Sequence, residues 1–194
     1  MRDKILSDLN EHNSLVENII SNEELVSKIQ DITKKIVESY KNNGKLVLFG
    51  NGGSASDAQH ISGELVNKFK IDRPMLNSIA LNVNTTILTS IANDISYDEV
   101  FARQVEHLVD HKDIVIGLTT SGNSKNVIKG LITAKNKGAL TIAFTGKDGG
   151  KVKEVADVVV NVPSDNIQRI QEMHITIGHI ICEIVEQELF GKRS

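Results

Sequence analysis

The chain has 194 residues, 40% of them hydrophobic and 24% charged. This composition excludes an intrinsically disordered protein and suits one α/β domain with a substantial core. The net charge of -3 argues against nucleic acid as the main partner. The N-terminus lacks the apolar segment of a signal peptide, and no apolar run could span a bilayer, so we expect a cytoplasmic protein with no membrane partner. The single cysteine, Cys182, has apolar neighbours that favour a core residue over a reactive thiol.

The first 43 residues are predicted to form two helices before any strand begins. Apolar residues recur at helical spacing from Ile5 to Asn43, and the stretch Ser21–Glu24 provides a break with a capping residue. A leading helical pair of this kind either covers its own domain or packs on a partner subunit. The sequence alone leaves both arrangements open.

After Gly44, short apolar runs alternate with helical segments. Unbroken apolar runs are typical of strands covered on both faces, and there are five of them: Leu46–Phe49, Ser78–Leu81, Ile114–Leu118, Leu140–Phe144 and Val158–Val162. Helices are predicted at Ser54–Asn67, Thr85–Ala92, Glu99–Leu108, Ser124–Lys137 and Ile167–Phe190. The alternation predicts an α/β fold with a doubly wound, mostly parallel five-stranded sheet. We expect a single domain over 1–194, with 1–43 as a helical extension and 44–194 as the α/β core.

A glycine-rich turn, Gly50-Asn51-Gly52-Gly53-Ser54, follows the first predicted strand. Together with Ala55 it matches the dinucleotide-binding pattern G-x-G-x-x-A, but that pattern requires a carboxylate at the end of the next strand. Here the next strand ends in Leu81-Asn82, which argues against a dinucleotide. A Walker A loop is also absent, so we expect no nucleotide cofactor. Ligands of parallel sheets bind at the carboxyl ends of strands, which makes this turn a candidate ligand site.

A second turn, Thr119-Thr120-Ser121-Gly122-Asn123-Ser124, follows the third strand and opens a helix. Its four hydroxyl groups and the free N–H groups of the helix behind it can converge on one anion. A single serine here is explained as well by helix capping. The cluster as a whole, at the same sheet edge as the first turn, predicts a phosphate monoester site.

Two pairs of polar residues on helices are candidate metal ligands. His60 and Glu64 are four residues apart on the helix after the first turn, so they share a face. Gln171 and His179 are about 80° apart on the last helix, while His174 between them lies on another face. Two imidazoles, a carboxylate and an amide oxygen suit an ion such as Zn²⁺. The spacing alone is equally typical of a solvated ion pair.

Four stretches of the chain resemble the phosphoheptose isomerases, which belong to the sugar isomerase (SIS) fold group. They are FGNGGSASDAQHISGEL, IANDISYDEVFARQVEHL, TTSGNSKNVIKGL and RIQEMHITIGHIICEIVE. The resemblance implies an enzyme that converts sedoheptulose 7-phosphate into D-glycero-D-manno-heptose 7-phosphate through a cis-enediolate. This is the first step toward bacterial heptoses of lipopolysaccharide, capsule or other glycans. The resemblance also implies one Zn²⁺ per subunit and a homotetramer with sites at subunit interfaces.

The same resemblance assigns roles to individual residues. The implied acid/base pair is Glu64 and His179. The implied metal ligands are His60, Glu64, Gln171 and His179. The implied substrate contacts are Ser54, Thr119, Thr120, Ser121 and Ser124 for the phosphate, and Asn51, Gly52, Gly53, Glu64, Asn93, Asp94 and Gln171 for the sugar.

Two residues depart from the family pattern, and two other functions stay open. Thr119 replaces a frequent serine and keeps a hydroxyl group, whereas Asn84 replaces a frequent aspartate and puts the detailed sugar contacts in doubt. One alternative is a non-catalytic SIS tetramer that binds a protein such as the bacterial replication initiator. The other is an isomerase of a different phosphosugar. The presence of all four predicted metal residues favours the heptose isomerase.

Overall fold

A computed structural model describes residues 1–191. The helices are α1 (Arg2–Ile20), α2 (Glu23–Lys41), α3 (Gly53–Val66), α4 (Thr85–Asp94), α5 (Ala102–Leu108), α6 (Lys125–Asn136) and α7 (Ile167–Phe190). The strands are β1 (Leu46–Gly50), β2 (Ser78–Ala80), β3 (Ile114–Thr119), β4 (Leu140–Gly146) and β5 (Val158–Val162). Short 3-10 turns cover Tyr97–Glu99 and Lys151–Glu154. Among the described residues, no helix combines the length and apolar character needed to cross a membrane.

The five strands form one sheet in the order β2-β1-β3-β4-β5. Every pairing is parallel, so the predicted sheet is confirmed and is parallel throughout. Alternate side chains of each buried strand pack into two different apolar clusters, Leu46 and Leu48 on one face and Val47 and Phe49 on the other. The strand order reverses between β1 and β3, which makes the carboxyl ends of these two strands the expected ligand crevice.

The predicted helix at Glu99–Leu108 begins later than the sequence indicated. The Ser96 side chain accepts a hydrogen bond from the N–H of Asp98 and starts a 3-10 turn at Tyr97–Glu99. The α-helix then begins at Ala102. The predicted boundary was wrong because the Ser96 side chain hydrogen-bonds to the backbone two residues further on. Such local bonds compete with regular α-helix.

The two N-terminal helices cover their own domain. Asn22 caps α2 by accepting from the N–H of Leu25 at 3.0 Å, as the sequence predicted. Ile32 and Ile36 of α2 are buried in the same apolar cluster as Ile177 of α7. Helix α1 is fastened to α7 by polar contacts, including one of 2.7 Å between His12 Nδ1 and a carboxylate oxygen of Glu172.

Cys182 is fully buried, which confirms its prediction as a core residue. Burial and the nearby Glu64 carboxylate raise the pKa of the thiol to about 12. Because the thiolate is the reactive form, this environment makes the side chain inert at neutral pH.

His174 makes folding stability depend on pH. Its imidazole is fully buried, with Nε2 3.0 Å from the Thr145 carbonyl. Burial lowers its pKa to about 4. Because the unfolded chain takes up this proton near pH 6.5 and the folded chain does not, the free energy of unfolding falls by about 3 kcal/mol between these two pKa values as pH decreases.

We therefore expect His174→Gln to lose most of this pH dependence between pH 7 and pH 4. Urea unfolding of both proteins across that range measures it. The exposed His107 provides the control, since His107→Gln leaves the buried imidazole in place. Parallel stability curves for the wild type and His174→Gln would contradict this account.

Candidate active site

Two polar turns meet at the crevice between β1 and β3. Gly50 at the end of β1 lies in register with Leu118 near the end of β3, so the turns that follow start side by side. The first turn leads into α3 and the second into α6. The structure thus brings together the two segments in which the sequence predicted sugar and phosphate contacts.

Asn51 is held in the first turn by side chains that the sequence did not predict to lie there. Its amide group exchanges two hydrogen bonds with the amide of Asn126, at 2.8 and 2.9 Å. The Tyr97 hydroxyl donates to Asn51 Oδ1 at 3.0 Å, and Asn82 Nδ2 donates to the Gly50 carbonyl at 2.7 Å. Asn82 lies just after β2, at the same sheet edge as the first turn. This position in the sequence could have indicated that Asn82 belongs to the site. The network fixes the turn before a ligand arrives.

The second turn is shaped by a tight contact with the turn after β4. Gly122 has a φ of 66°, and a Cβ on it would overlap the Gly149 carbonyl oxygen. The N–H of Val152 donates to the Gly122 carbonyl at 2.9 Å. The Thr119 hydroxyl donates to Ser124 Oγ at 3.1 Å, and Ser121 Oγ accepts from the N–H of Asn123. This turn is therefore preformed, and two of its residues, Thr120 and Ser121, are half-buried.

Ser124 stands at the N-cap position of α6, but its side chain makes no capping hydrogen bond. The capping explanation for this serine is therefore wrong in its usual form. The hydroxyl group accepts from Thr119 instead, so its own proton is available to an anion at the start of α6.

Removing the Ser124 hydroxyl is expected to weaken phosphate binding selectively. Hydrogen bonds to charged groups contribute about 1.5–3 kcal/mol, so Ser124→Ala should raise KM for a sugar phosphate by about tenfold or more. We expect little change in kcat, because the residues implied in proton transfer, Glu64 and His179, lie on other elements, α3 and α7. Ser27→Ala on the exposed surface of α2 is the matched control. A steady-state comparison in which both variants keep the wild-type KM would refute this role.

His60, Glu64 and His179 converge on one point between α3 and α7. His60 Nε2 lies 3.0 Å from Glu64 Oε1 and 3.4 Å from His179 Nε2. The helices approach closely because Gly178, the neighbour of His179, has no side chain where Ile61 packs. One ligand atom from each of the three residues lies within 4.8 Å of the others. Three of the four predicted metal residues, more than a hundred residues apart in the chain, are thus brought together.

The three side chains fit a tetrahedral zinc ion. Tetrahedral Zn²⁺ with bonds of about 2.0–2.1 Å separates its ligand atoms by about 3.3 Å. Two of the three separations in the cluster, 3.0 and 3.4 Å, are close to this value, and all three ligand atoms lie within 4.8 Å of one another. Gln171, the fourth predicted ligand, lies two turns earlier on α7 with its amide group against Gly53. The amide group of Gln171 therefore lies at the start of α3, next to the first polar turn.

Asp57 is a further titratable group on α3, one turn before His60. Its Oδ2 is buried and has no hydrogen-bond partner. Burial raises the pKa of this carboxyl group to about 6, although the nearby His60 acts in the opposite direction. The ionised form of Asp57 would add a negative charge beside His60.

The remaining predicted substrate contacts lie at two places, the start of α3 and the end of α4. Ser54 is buried in the first turn of α3, and Gly52 and Gly53 are exposed at its start. Asn93 and Asp94 are exposed at the end of α4 and hydrogen-bond to each other at 2.8 Å. Asn84, which departs from the family pattern, caps α4 by accepting from the N–H of Ile87, a role that asparagine and aspartate fill equally well.

The fold and the two strand-end turns define a class, the phosphosugar-binding SIS domain. The SIS domain family model matches residues 9–146. A phosphoheptose isomerase of Sulfurimonas denitrificans is 53% identical over 89% of each chain, and one of Aneurinibacillus thermoaerophilus is 46% identical over 100% of this chain and 98% of its own. The solved phosphoheptose isomerase of Francisella tularensis has a TM-score of 0.92 and 34% identity, covering 95% of this chain and 97% of its own. The chain belongs to the phosphoheptose isomerase family.

Proposed function

We propose that this protein converts sedoheptulose 7-phosphate into D-glycero-D-manno-heptose 7-phosphate. The observation that carries the proposal is the convergence of His60, Glu64 and His179 between α3 and α7, in a chain that also presents two preformed polar turns at the carboxyl edge of its sheet. High identity with phosphoheptose isomerases over nearly the whole chain supports the same reaction. A chain that only bound a protein partner would not need this acid/base set.

The reaction moves one proton between C1 and C2 of the sugar through a cis-enediolate. A base removes a carbon-bound proton, and an acid serves the carbonyl oxygen. We assign these transfers to Glu64 and His179, whose side chains lie within one small cluster. The phosphate binds at Thr119–Ser124 and the start of α6, and this remote binding energy positions the reacting carbons.

His60, Glu64 and His179, with Gln171 as the fourth predicted ligand, would hold a Zn²⁺ ion. When bound, the ion supplies Lewis-acid polarisation of the sugar carbonyl, which is worth several kcal/mol. The protein residues still carry the proton transfers, because a metal ion cannot by itself accept a proton from carbon.

Removing divalent metal is expected to reduce turnover by about a hundredfold, given a Lewis-acid contribution of several kcal/mol. EDTA treatment followed by dialysis gives the metal-free protein, and added Zn²⁺ should restore its activity. Magnesium serves as the control ion, because nitrogen ligands do not suit it. Full turnover by protein shown to be metal-free by mass spectrometry would rule out the metal role.

A homotetramer with sites at subunit interfaces is part of the proposal. An apolar groove of about 860 Å³ lies between α1, α2 and α7. It includes exposed Ile20 (70%), Ile180 (46%) and Ile184 (38%), and large exposed apolar patches mark interaction surfaces. A second subunit seated in this groove would remove these apolar side chains from water. Light scattering on the purified protein measures the subunit number.

The test of function is incubation of the purified protein with sedoheptulose 7-phosphate, followed by proton NMR of the aldose. Fructose 6-phosphate and ribulose 5-phosphate run in parallel distinguish a heptose isomerase from one for shorter sugars. We expect conversion of the heptulose at the highest kcat/KM. No conversion of any of the three, with or without Zn²⁺, would move the function to a binding protein.

A further inference from the structure

The carboxylate of Glu186 on α7 binds the segment that follows α3. It accepts hydrogen bonds from the backbone N–H groups of Phe69, Lys70 and Ile71 at 2.8, 2.6 and 2.8 Å. It also accepts from Nε of Arg73 at 2.9 Å. Four donors thus surround one side chain that is only 1% exposed, and the segment cannot shift without losing several of these bonds together.

Arg73 connects this carboxylate to the end of α3. Its Nη2 donates to the carbonyl of Glu64 at 3.1 Å, and its Nη1 donates to the carbonyl of Leu65 at 2.8 Å. These carbonyls lie in the last turn of a helix, where four acceptors have no partner within the helix. The guanidinium group therefore fixes the backbone of the residue that carries one member of the acid/base pair.

The same segment also reaches the other member of the pair. The Phe69 ring lies 5.8 Å from the His179 ring, centroid to centroid. Lys70 Nζ forms an ion pair of 2.6 Å with Glu183, one turn beyond His179 on α7. Residues 69–73 therefore contact the helix that supplies His179 and the helix that supplies Glu64.

The buried Arg73–Glu186 ion pair is better suited to fixing the positions of helices than to adding stability. Burial favours the neutral form of Glu186, but the N–H groups of Lys70, Phe69 and Ile71 and the Arg73 guanidinium outweigh it and lower the pKa of the carboxyl group. A buried ion pair adds little stability over apolar side chains of similar volume. Its fixed directions of hydrogen bonding, however, specify one arrangement of the two helices.

We propose that Arg73 and Glu186 are positioning residues that hold Glu64 and His179 in register for proton transfer. This inference rests on the proposed isomerase function. A displacement of the reacting groups by about 1 Å can cost a hundredfold in rate, so a clamp between α3 and α7 acts on kcat. Phosphate binding should not depend on it, because Thr119–Ser124 lies on other elements and Ser54 lies at the start of α3, at the opposite end from the carbonyl groups that Arg73 contacts.

Glu186→Gln and Arg73→Lys test the clamp. Both keep the approximate volume, and Arg73→Lys keeps the charge but loses the fork that reaches two carbonyl groups. Asp113→Asn is the matched control, because Asp113 is also 1% exposed and pairs with Lys45 at 2.5 Å, at the amino end of β3. For the two clamp variants we expect kcat to fall by about tenfold or more with KM within about threefold. Asp113→Asn should lower thermal stability and leave kcat unchanged.

A loss of kcat no larger in the clamp variants than in Asp113→Asn would overturn the proposal. If Glu186→Gln does not fold, Arg73→Lys decides by the same comparison. If the wild type converts no heptulose phosphate, the isomerase function fails separately, and NMR then tests the clamp. In that case the amide signal of Glu64 and the ring signals of His179 should move in the clamp variants and not in Asp113→Asn. Unchanged signals would refute it.

Discussion

Glu64→Gln should reduce kcat for sedoheptulose 7-phosphate by about 10²–10⁴, the contribution of a positioned acid or base. The substitution keeps the volume of the side chain and its ability to hydrogen-bond, but the amide cannot accept a proton from carbon. KM should change much less than kcat, because the phosphate contacts lie on the turns after β3 and β1 and the amide keeps a hydrogen bond to the sugar. Steady-state kinetics with a coupled or NMR assay measures both constants.

The control for Glu64→Gln is Glu24→Gln on α2. Glu24 also forms an i,i+4 pair, with Lys28 at 2.6 Å, and its side chain is 79% exposed. It therefore reproduces the chemical change at a site remote from the cluster. If Glu64→Gln keeps the turnover of Glu24→Gln, Glu64 has no part in proton transfer.

His179→Asn should lower kcat by a similar factor of about 10²–10⁴. The amide keeps a polar group beside His60 but cannot exchange a proton. In addition, one limb of the pH profile of kcat/KM should flatten, because that profile reports the essential acid and base of the free enzyme. A flattened limb would indicate a role of His179 in proton transfer, because a loss of packing alone would lower kcat without changing the shape of the pH profile.

The exposed His107 at the end of α5 provides the control for this second variant. His107→Asn changes one imidazole at a distance from α3 and α7 and should leave both kcat and the pH profile intact. A His179→Asn protein with reduced kcat but a wild-type pH profile would show that His179 acts only as a metal ligand or a structural residue and takes no part in proton transfer.

Most of the fold could be predicted because the strands are buried on both faces. Unbroken apolar runs such as Leu46–Phe49 and Ile114–Leu118 have few alternatives to a parallel strand. The observed β1 and β3 extend each by one residue, to Gly50 and Thr119. Gly50 and Thr119 join the sheet through their backbone groups. A pattern of apolar side chains does not indicate such pairing.

The site could be predicted only in part, for physical reasons that differ among residues. His60 and Glu64 share a helix, so spacing brings them together. The meeting of His60 with His179 depends on how closely α3 packs on α7, and sequence spacing does not encode this distance. The contacts of Tyr97 with Asn51 and of Arg73 with Glu186 join loops to distant helices. No local sequence pattern indicates such long-range polar pairs.

In the proposed reaction, this chain isomerises a ketose phosphate by proton transfer at the cluster of His60, Glu64 and His179. Partial conversion of sedoheptulose 7-phosphate in D₂O, with mass spectrometry and NMR of both sugars, tests it most directly. A base-held proton exchanges with solvent, so we predict deuterium at C2 of the heptose 7-phosphate product. Heptose that forms without deuterium at C2, through a direct hydride shift from C1, would contradict the account.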